Sequence, residues 1–218
     1  MSFVNVNYVT DPLYEGSGAT QLEWGTHNSE DWGGYAKLYH YSAPQDTSGG
    51  GDDDTTVVGT VDLEGTTWVI APEAGALKVG PGMDDGSWWE NSTADVTVRA
   101  CFFDDEYVFN ADGSFNNVLG DETWLEASWQ GVESDGCGTP VYPHDGTNAA
   151  TWEYNETDGT ITLNGVGAFL GIPKAYTGGE LTSPEDAPES ITYDIYNTDE
   201  SALTVTVSSG SGYWTFKS

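Results

Sequence analysis

Two adjacent tryptophans, Trp88 and Trp89, follow the acidic run Asp84-Asp85-Gly86-Ser87 in a loop-like stretch of this chain. Neighbouring side chains on an extended backbone point to opposite sides. One of the two indoles is therefore expected at the surface unless the loop is buried on both sides. An exposed indole beside carboxylates has a defined chemistry. The ring stacks on the apolar face of a pyranose while the carboxylates accept hydrogen bonds from its hydroxyls. Trp124 and Trp129 belong to the same dense region, and Glu122 and Glu126 flank Trp124. The competing use of these four tryptophans is to plug the ends of a barrel.

Carboxylates supply the second candidate chemistry. Asp104, Asp105 and Glu106 are contiguous, and two carboxylates roughly 5–10 Å apart suit glycosidic hydrolysis. In an alternating strand Asp105 and Glu106 face opposite ways, whereas Asp104 and Glu106 share a face. With Glu122, that pair forms the set for a hydrolase reading. Chance pairs abound among 36 acidic residues, so the leading expectation assigns no catalytic residue. Instead Asp104, Glu106 and Glu122 join Trp88, Trp89, Trp124 and Trp129 as ligand-binding candidates, with His144 and Asp145 of the Pro143-His144-Asp145-Gly146 turn. A His–Asp pair suits a general base, but no Gly-x-Ser-x-Gly motif accompanies it, and a structural turn histidine is the alternative. Asp84, Asp85 and Asp112 offer oxygen ligands at turns, which makes calcium the candidate ion. None lies in a D-x-[DN]-x-[DN]-G loop, and plain hairpin turns compete with that reading.

The elements that must position these residues read as strands. Tyr107 and Phe109 alternate, Asn110-Ala111-Asp112-Gly113 turns the chain, and Phe115, Asn117 and Leu119 alternate back, which is a hairpin pattern. The pattern recurs at Thr151–Leu163 around Glu156-Thr157-Asp158-Gly159, and at Ile191–Val207 around Asn197–Ser201. Thr67-Trp68-Val69-Ile70 opens this region and Tyr213-Trp214-Thr215-Phe216 closes it. Hairpins joined in sequence order predict an all-β antiparallel meander. It is expected to form a lipocalin-like up-and-down barrel, or alternatively a two-sheet sandwich. The glycine-rich Gly165–Gly171 segment predicts a tight small-residue strand or a barrel corner.

Residues 1–45 carry recurrent aromatics without a sustained period and predict an irregular anchoring arm. Residues 46–56, with Gly49-Gly50-Gly51-Asp52-Asp53-Asp54, predict a flexible linker, and 57–218 the β domain. The start of the chain lacks the basic and apolar regions of a signal peptide. Export by another route, release by lysis, or a mature segment is expected.

Charge bounds the partners. Five basic residues face 36 acidic ones, a formal net charge of −31. Nucleic-acid affinity comes largely from Lys and Arg on phosphates, and anionic membranes are recognised the same way, so neither partner is expected. No apolar run reaches the roughly 18 residues of a membrane span. Self-repulsion of this size is relieved by salt, which predicts a saline or divalent-rich medium. Cys101 and Cys137 are expected to form one disulfide and to imply an oxidising location, the alternative being two reduced thiols.

The runs Thr67–Leu77, Val79-Gly80-Pro81, Ser87-Trp88-Trp89, Arg99–Tyr107 and Pro143–Gly146 resemble a module of secreted polysaccharide-associated proteins of marine bacteria. The closing hairpins and Tyr213–Lys217 are similar to lipocalin-like β domains. Residues 1–45 do not share the resemblance. Arm, linker and displayed β domain together look like a phage virion decoration or fibre protein. The resemblance implies a carbohydrate context, an extracellular or virion-surface location, and a protein assembly as partner of the arm. The expected function is glycan binding and display without catalysis. The alternatives are a secreted glycoside hydrolase and a lipocalin-like binder of a small apolar ligand.

Overall fold

The computed structural model describes residues 61–199 and 202–218, with side chains at 61–196 and 202–218, and the strand backbones at 6–9, 20–28 and 31–40. The chain divides into two units, Met1–Thr55 and Thr56–Ser218. In the first, β1 (Val6–Val9), β2 (Thr20–Asn28) and β3 (Asp31–His40) form a three-stranded antiparallel sheet in chain order. The β2–β3 register shifts between Trp24 and Thr26. Strands thus pair in a segment where the sequence shows no sustained alternation. The linker expected at 46–56 lies outside the described residues.

The second unit is built on one ten-stranded antiparallel sheet curled into a half-barrel. Its strands are β4 (Thr66–Val69), β5 (Leu77–Gly80), β6 (Trp89–Glu90), β7 (Glu106–Phe109), β8 (Ser114–Val118), β11 (Ala150–Asn155), β12 (Thr160–Asn164), β15 (Ser190–Asp199), β16 (Ala202–Ser208) and β17 (Tyr213–Lys217). The spatial order is β4-β7-β8-β11-β12-β15-β16-β17-β5-β6. From β7 to β17 the order follows the chain, which is the predicted meander. Two short ladders stand apart: β9 (Thr123–Leu125) with β10 (Gly136–Gly138), and β13 (Ala175–Tyr176) with β14 (Gly179–Glu180). Among the described residues the unit also holds three short α-helices, α1 (Thr93–Val98), α2 (Ala100–Phe103) and α3 (Ala127–Gln130), and a 3-10 turn at Pro184–Asp186.

The curl follows from connectivity. β4 and β5 lie first and ninth in the sheet, about 38 Å apart if it were flat. The connection from Val69 to Leu77 spans at most about 29 Å. A flat sheet cannot accommodate that link, so the sheet bends until its edges approach. Ala71 N–H donates to Lys217 O at 2.8 Å and Lys217 N–H to Ala76 O at 2.9 Å, fixing the connection against β17.

Alternation places Tyr107, Phe109, Phe115, Ile161, Leu163, Tyr193, Ile195, Val205, Val207 and Phe216 in the interior. Each large apolar side chain buried this way contributes roughly 1.5–3 kcal/mol. Phe109 makes edge-on contacts with Phe115 at 5.2 Å and Trp152 at 5.4 Å. The glycine-rich segment is neither a strand nor a corner. Ala168, Phe169, Leu170, Gly171 and Ile172 are buried and fill the half-barrel. A buried loop needs partners for its backbone, and inward-pointing polar side chains supply them. Asn117 Nδ2 donates to Phe169 O at 2.8 Å, and Phe169 N–H donates back to Asn117 Oδ1 at 3.3 Å. Leu170 N–H donates to Tyr193 Oη at 3.0 Å, and Tyr107 Oη donates to Gly171 O at 3.3 Å. Gly171 sits at φ +69, where a Cβ would fall 2.2 Å from the Phe216 ring. Only glycine fits there.

Candidate functional site

The loop between β5 and β6 presents Trp88. It is held by its own polar residues. Lys78 Nζ pairs with Asp84 Oδ1 at 2.6 Å, and Asp84 N–H, at the positive φ of +56, donates to Thr215 Oγ1 at 3.0 Å. Ser87 N–H donates to Asp85 Oδ1 at 2.7 Å, and Trp88 N–H to Val79 O at 3.2 Å. The indole of Trp88 crosses Gly212, where a Cβ would meet ring atom Cζ3 at 2.3 Å. It remains 54% exposed, and Met83 of the same loop is 44% exposed. Trp88 and Trp89 part to opposite sides, as neighbours on an extended chain must. One is exposed and the other is partly buried against the core.

Trp89 and Trp124 meet through Arg99, the chain's single arginine. Its guanidinium lies over Trp124 at 4.5 Å and over Trp89 at 5.2 Å from the ring centroids. Arg99 is placed at the junction of α1 and α2, where its backbone N–H donates to Asp95 O and ends the first helix. The Ser92–Asp95 capping box fixes the start of that helix. Trp89 in turn touches Trp214 at 6.4 Å. Lys174 Nζ lies 5.1 Å from the Trp214 ring and 3.0 Å from Glu126 Oε2. Glu126 Oε2 also accepts from Trp129 Nε1 at 3.1 Å. A continuous aromatic and ionic layer therefore runs from Trp124 through Arg99, Trp89, Trp214, Lys174 and Glu126 to Trp129. Trp124, Glu126, Trp129 and Phe169 line a recess of about 10 Å³, room for about one water molecule.

Trp129 is buried and packs edge-on against His144 at 5.4 Å. His144 is itself 4% exposed, with Phe169 at 6.0 Å on another side. Burial pushes its pKa down to about 4, only partly opposed by Asp145. His144 is thus a neutral core histidine at physiological pH. Asp145 accepts from Thr147 N–H at 3.1 Å and Thr147 Oγ1 at 2.6 Å and closes a turn.

Among the acids the strand pattern sorts the run at 104–106 as alternation requires. Asp104 and Glu106 are exposed, and Asp105 between them is 1% exposed. Asp105 Oδ2 accepts from Thr123 Oγ1 at 2.6 Å, while Oδ1 has no partner. Burial raises its pKa to about 8 against that hydrogen bond, with Asp104 adding to the rise. Glu122 is exposed in the turn before β9. Sequence reasoning passed over Asp105 and Arg99. The available signal for Arg99 was its singularity among 36 acids.

The three turn aspartates have local work. Asp84 pairs with Lys78, and Asp85 is held below the usual carboxylate range by Ser87. Ser114 does the same for Asp112, donating to Oδ1 from its N–H at 3.0 Å and its Oγ at 2.6 Å. Among the described residues no group of three or more His, Cys, Asp or Glu side chains gathers to hold a metal. Cys101 and Cys137 form the expected disulfide, with Cα atoms 6.0 Å apart, tying α2 to β10. No helix among the described residues is long and apolar enough to cross a membrane. No protein-family model matches the chain, and no curated protein matches it.

Proposed function

We propose that this is a non-enzymatic display protein. The β domain binds glycan through Trp88, and the N-terminal segment docks it on a larger assembly such as a virion surface. The observation that carries the glycan half is the 54% exposed Trp88 indole on a loop already fixed by hydrogen bonds. Prior ordering lowers the entropic cost of binding, and a large exposed aromatic offers a sugar its stacking face. Trp89, Trp124 and Trp129 are engaged by Arg99, Glu126 and His144, so Trp88 is the free platform of the four. The resemblance of Ser87-Trp88-Trp89 and its neighbours to a polysaccharide-associated module points the same way, and calcium is the ion to include.

The alternatives find less support. Asp105, the acid whose pKa burial pushes up to about 8, is sealed in the core beyond reach of a polymer. The space a small apolar ligand needs is filled by Ala168–Ile172. The test is binding of the full chain and of Trp88→Ala to a panel of marine polysaccharides with calcium present. Loss of at least tenfold in affinity at unchanged melting temperature is expected, and binding that survives Trp88→Ala removes the assignment. For the arm, full-length protein should be retained on a native particle while residues 46–218 are not. Equal release of both refutes docking.

A further inference from the structure

Arg99 stands out among the basic residues of the β domain. Lys78, Lys174 and Lys217 each pair with a carboxylate: Asp84, Glu126 and Glu73. Among the described residues no carboxylate stands within ion-pair distance of Arg99, and Asp95, four residues earlier, only feels its charge. Its guanidinium is half-buried against Trp89 and Trp124, and those contacts supply no oxygen to its five N–H groups. Held by two rings, the planar fork is immobilised, and its donors have no oxygen partner among the described residues. Such a fork matches the two oxygens of a carboxylate, and an immobilised one loses little entropy on forming the pair.

We propose that Arg99 is an anion-recognition site that takes the carboxylate of an acidic sugar, a uronate unit of the glycan. The inference rests on the glycan-binding reading for the source of the carboxylate. Trp88 grips the chain by a sugar face, and Arg99 selects for charge. Long-range repulsion from a protein of net charge −31 opposes a polyanion at low salt. At roughly 0.5–1 M salt the screening length falls to about 3–4 Å. A direct, ring-shielded pair outlasts that screening far better than diffuse repulsion does. Acidic ligands should therefore bind better as salt rises from low values.

The experiment uses the full chain at about 0.5 M salt and calorimetric titration with three probes. These are a uronate tetrasaccharide, the same tetrasaccharide with its carboxyls reduced to alcohols, and a tetraglutamate peptide. The uronate form is expected to bind at least tenfold tighter than the reduced form. Arg99→Gln should erase that difference while leaving the reduced form unchanged, and Arg99→Lys should retain only part of it. Quenching of tryptophan emission should be greater with the uronate than with the reduced probe, and Arg99→Gln should remove that excess, as a carboxylate brought against Arg99 between Trp89 and Trp124 requires. Equal binding of the two saccharides, or a difference that survives Arg99→Gln, overturns the proposal and leaves the Trp88 reading standing. Tetraglutamate binding as tightly as the uronate, in an Arg99-dependent way, overturns the sugar as the source. No saccharide bound by either the parent or Arg99→Lys removes both readings together.

Discussion

Cys137 sits directly opposite Trp124 in the β9–β10 ladder. Its disulfide partner, Cys101, lies two residues beyond the arginine whose guanidinium covers that same Trp124. The covalent link and the cation–π contact therefore clamp one small region from two directions. The loop closed by the disulfide spans 36 residues of sequence. Cross-links of that size stabilise by about 2–4 kcal/mol. Paired Cys101→Ser and Cys137→Ser replacement should cost that much in urea unfolding and should shift tryptophan emission as Arg99 and Trp124 separate. Unchanged emission together with unchanged stability contradicts the clamp.

Asp105 makes stability fall with rising pH. Its pKa is raised to about 8 in the folded state by burial, against about 4 when unfolded. Below pH 4 both states carry the proton and the group contributes no pH dependence. Between pH 4 and 8 the unfolded state sheds the proton first, so stability drops by up to about 1.4 kcal/mol per pH unit. Above pH 8 the effect levels off. Asp105→Asn keeps an acceptor for Thr123 and removes the titration. Whatever its offset at pH 4, the variant should gain on the parent from pH 4 to 8 in thermal unfolding. Parallel profiles for the two proteins contradict the assignment.

The strands of the half-barrel were legible because period 2 and turn glycines act locally. Tyr107, Phe109, Phe115 and Asn117 are buried on the face their alternation predicts. Asp105 and Glu106 face opposite ways, as adjacent residues on a strand must, but that Asp105 is the buried one was not legible. The plug at Ala168–Ile172 was not legible. Gly167, just before it, and Gly171, within it, record close approach to Pro143 and Phe216, and those partners lie far away in sequence. The layer around Arg99 was hidden for the same reason. Trp89, Arg99 and Trp124 belong to three separate elements, brought together only once β6, the α1–α2 junction and β9 are placed. Trp88 was recognised with Trp89 as a pair, but which of the two is exposed depends on Gly212 beneath the ring.

His144 acts on stability in the acid direction. Burial lowers its folded pKa to about 4, against about 6.5 unfolded. As pH falls from about 6.5 to 4 the unfolded state takes up a proton that the folded state refuses, and stability declines. His144→Gln should flatten this decline in thermal unfolding between pH 7 and 4. The imidazole proton shifts of the parent should stay constant from pH 7 to about 5. An imidazole titrating near pH 6.5 in the folded protein shows instead that the ring is solvated.

Asn117 decides whether the plug stays seated. Its amide makes both hydrogen bonds to the Phe169 backbone, donating at 2.8 Å and accepting at 3.3 Å. Asn117→Ala leaves a buried N–H and a buried C=O without partners, each costing about 1–3 kcal/mol. The plug cannot move outward to recover them in water, because Gly167 and Gly171 are packed against Pro143 and Phe216. A loss of about 2–4 kcal/mol is expected in urea unfolding. Asn116 provides the control on the same strand. It is exposed, and among the described residues its side chain accepts one hydrogen bond, from Asn110 Nδ2 at 2.8 Å, so Asn116→Ala should fall within about 0.5 kcal/mol of the parent. Hydrogen exchange at the Phe169 amide should rise in Asn117→Ala and not in Asn116→Ala. Equal losses for the two variants mean that packing of the Phe169 ring alone, rather than the Asn117 clamp, holds the segment inside the barrel.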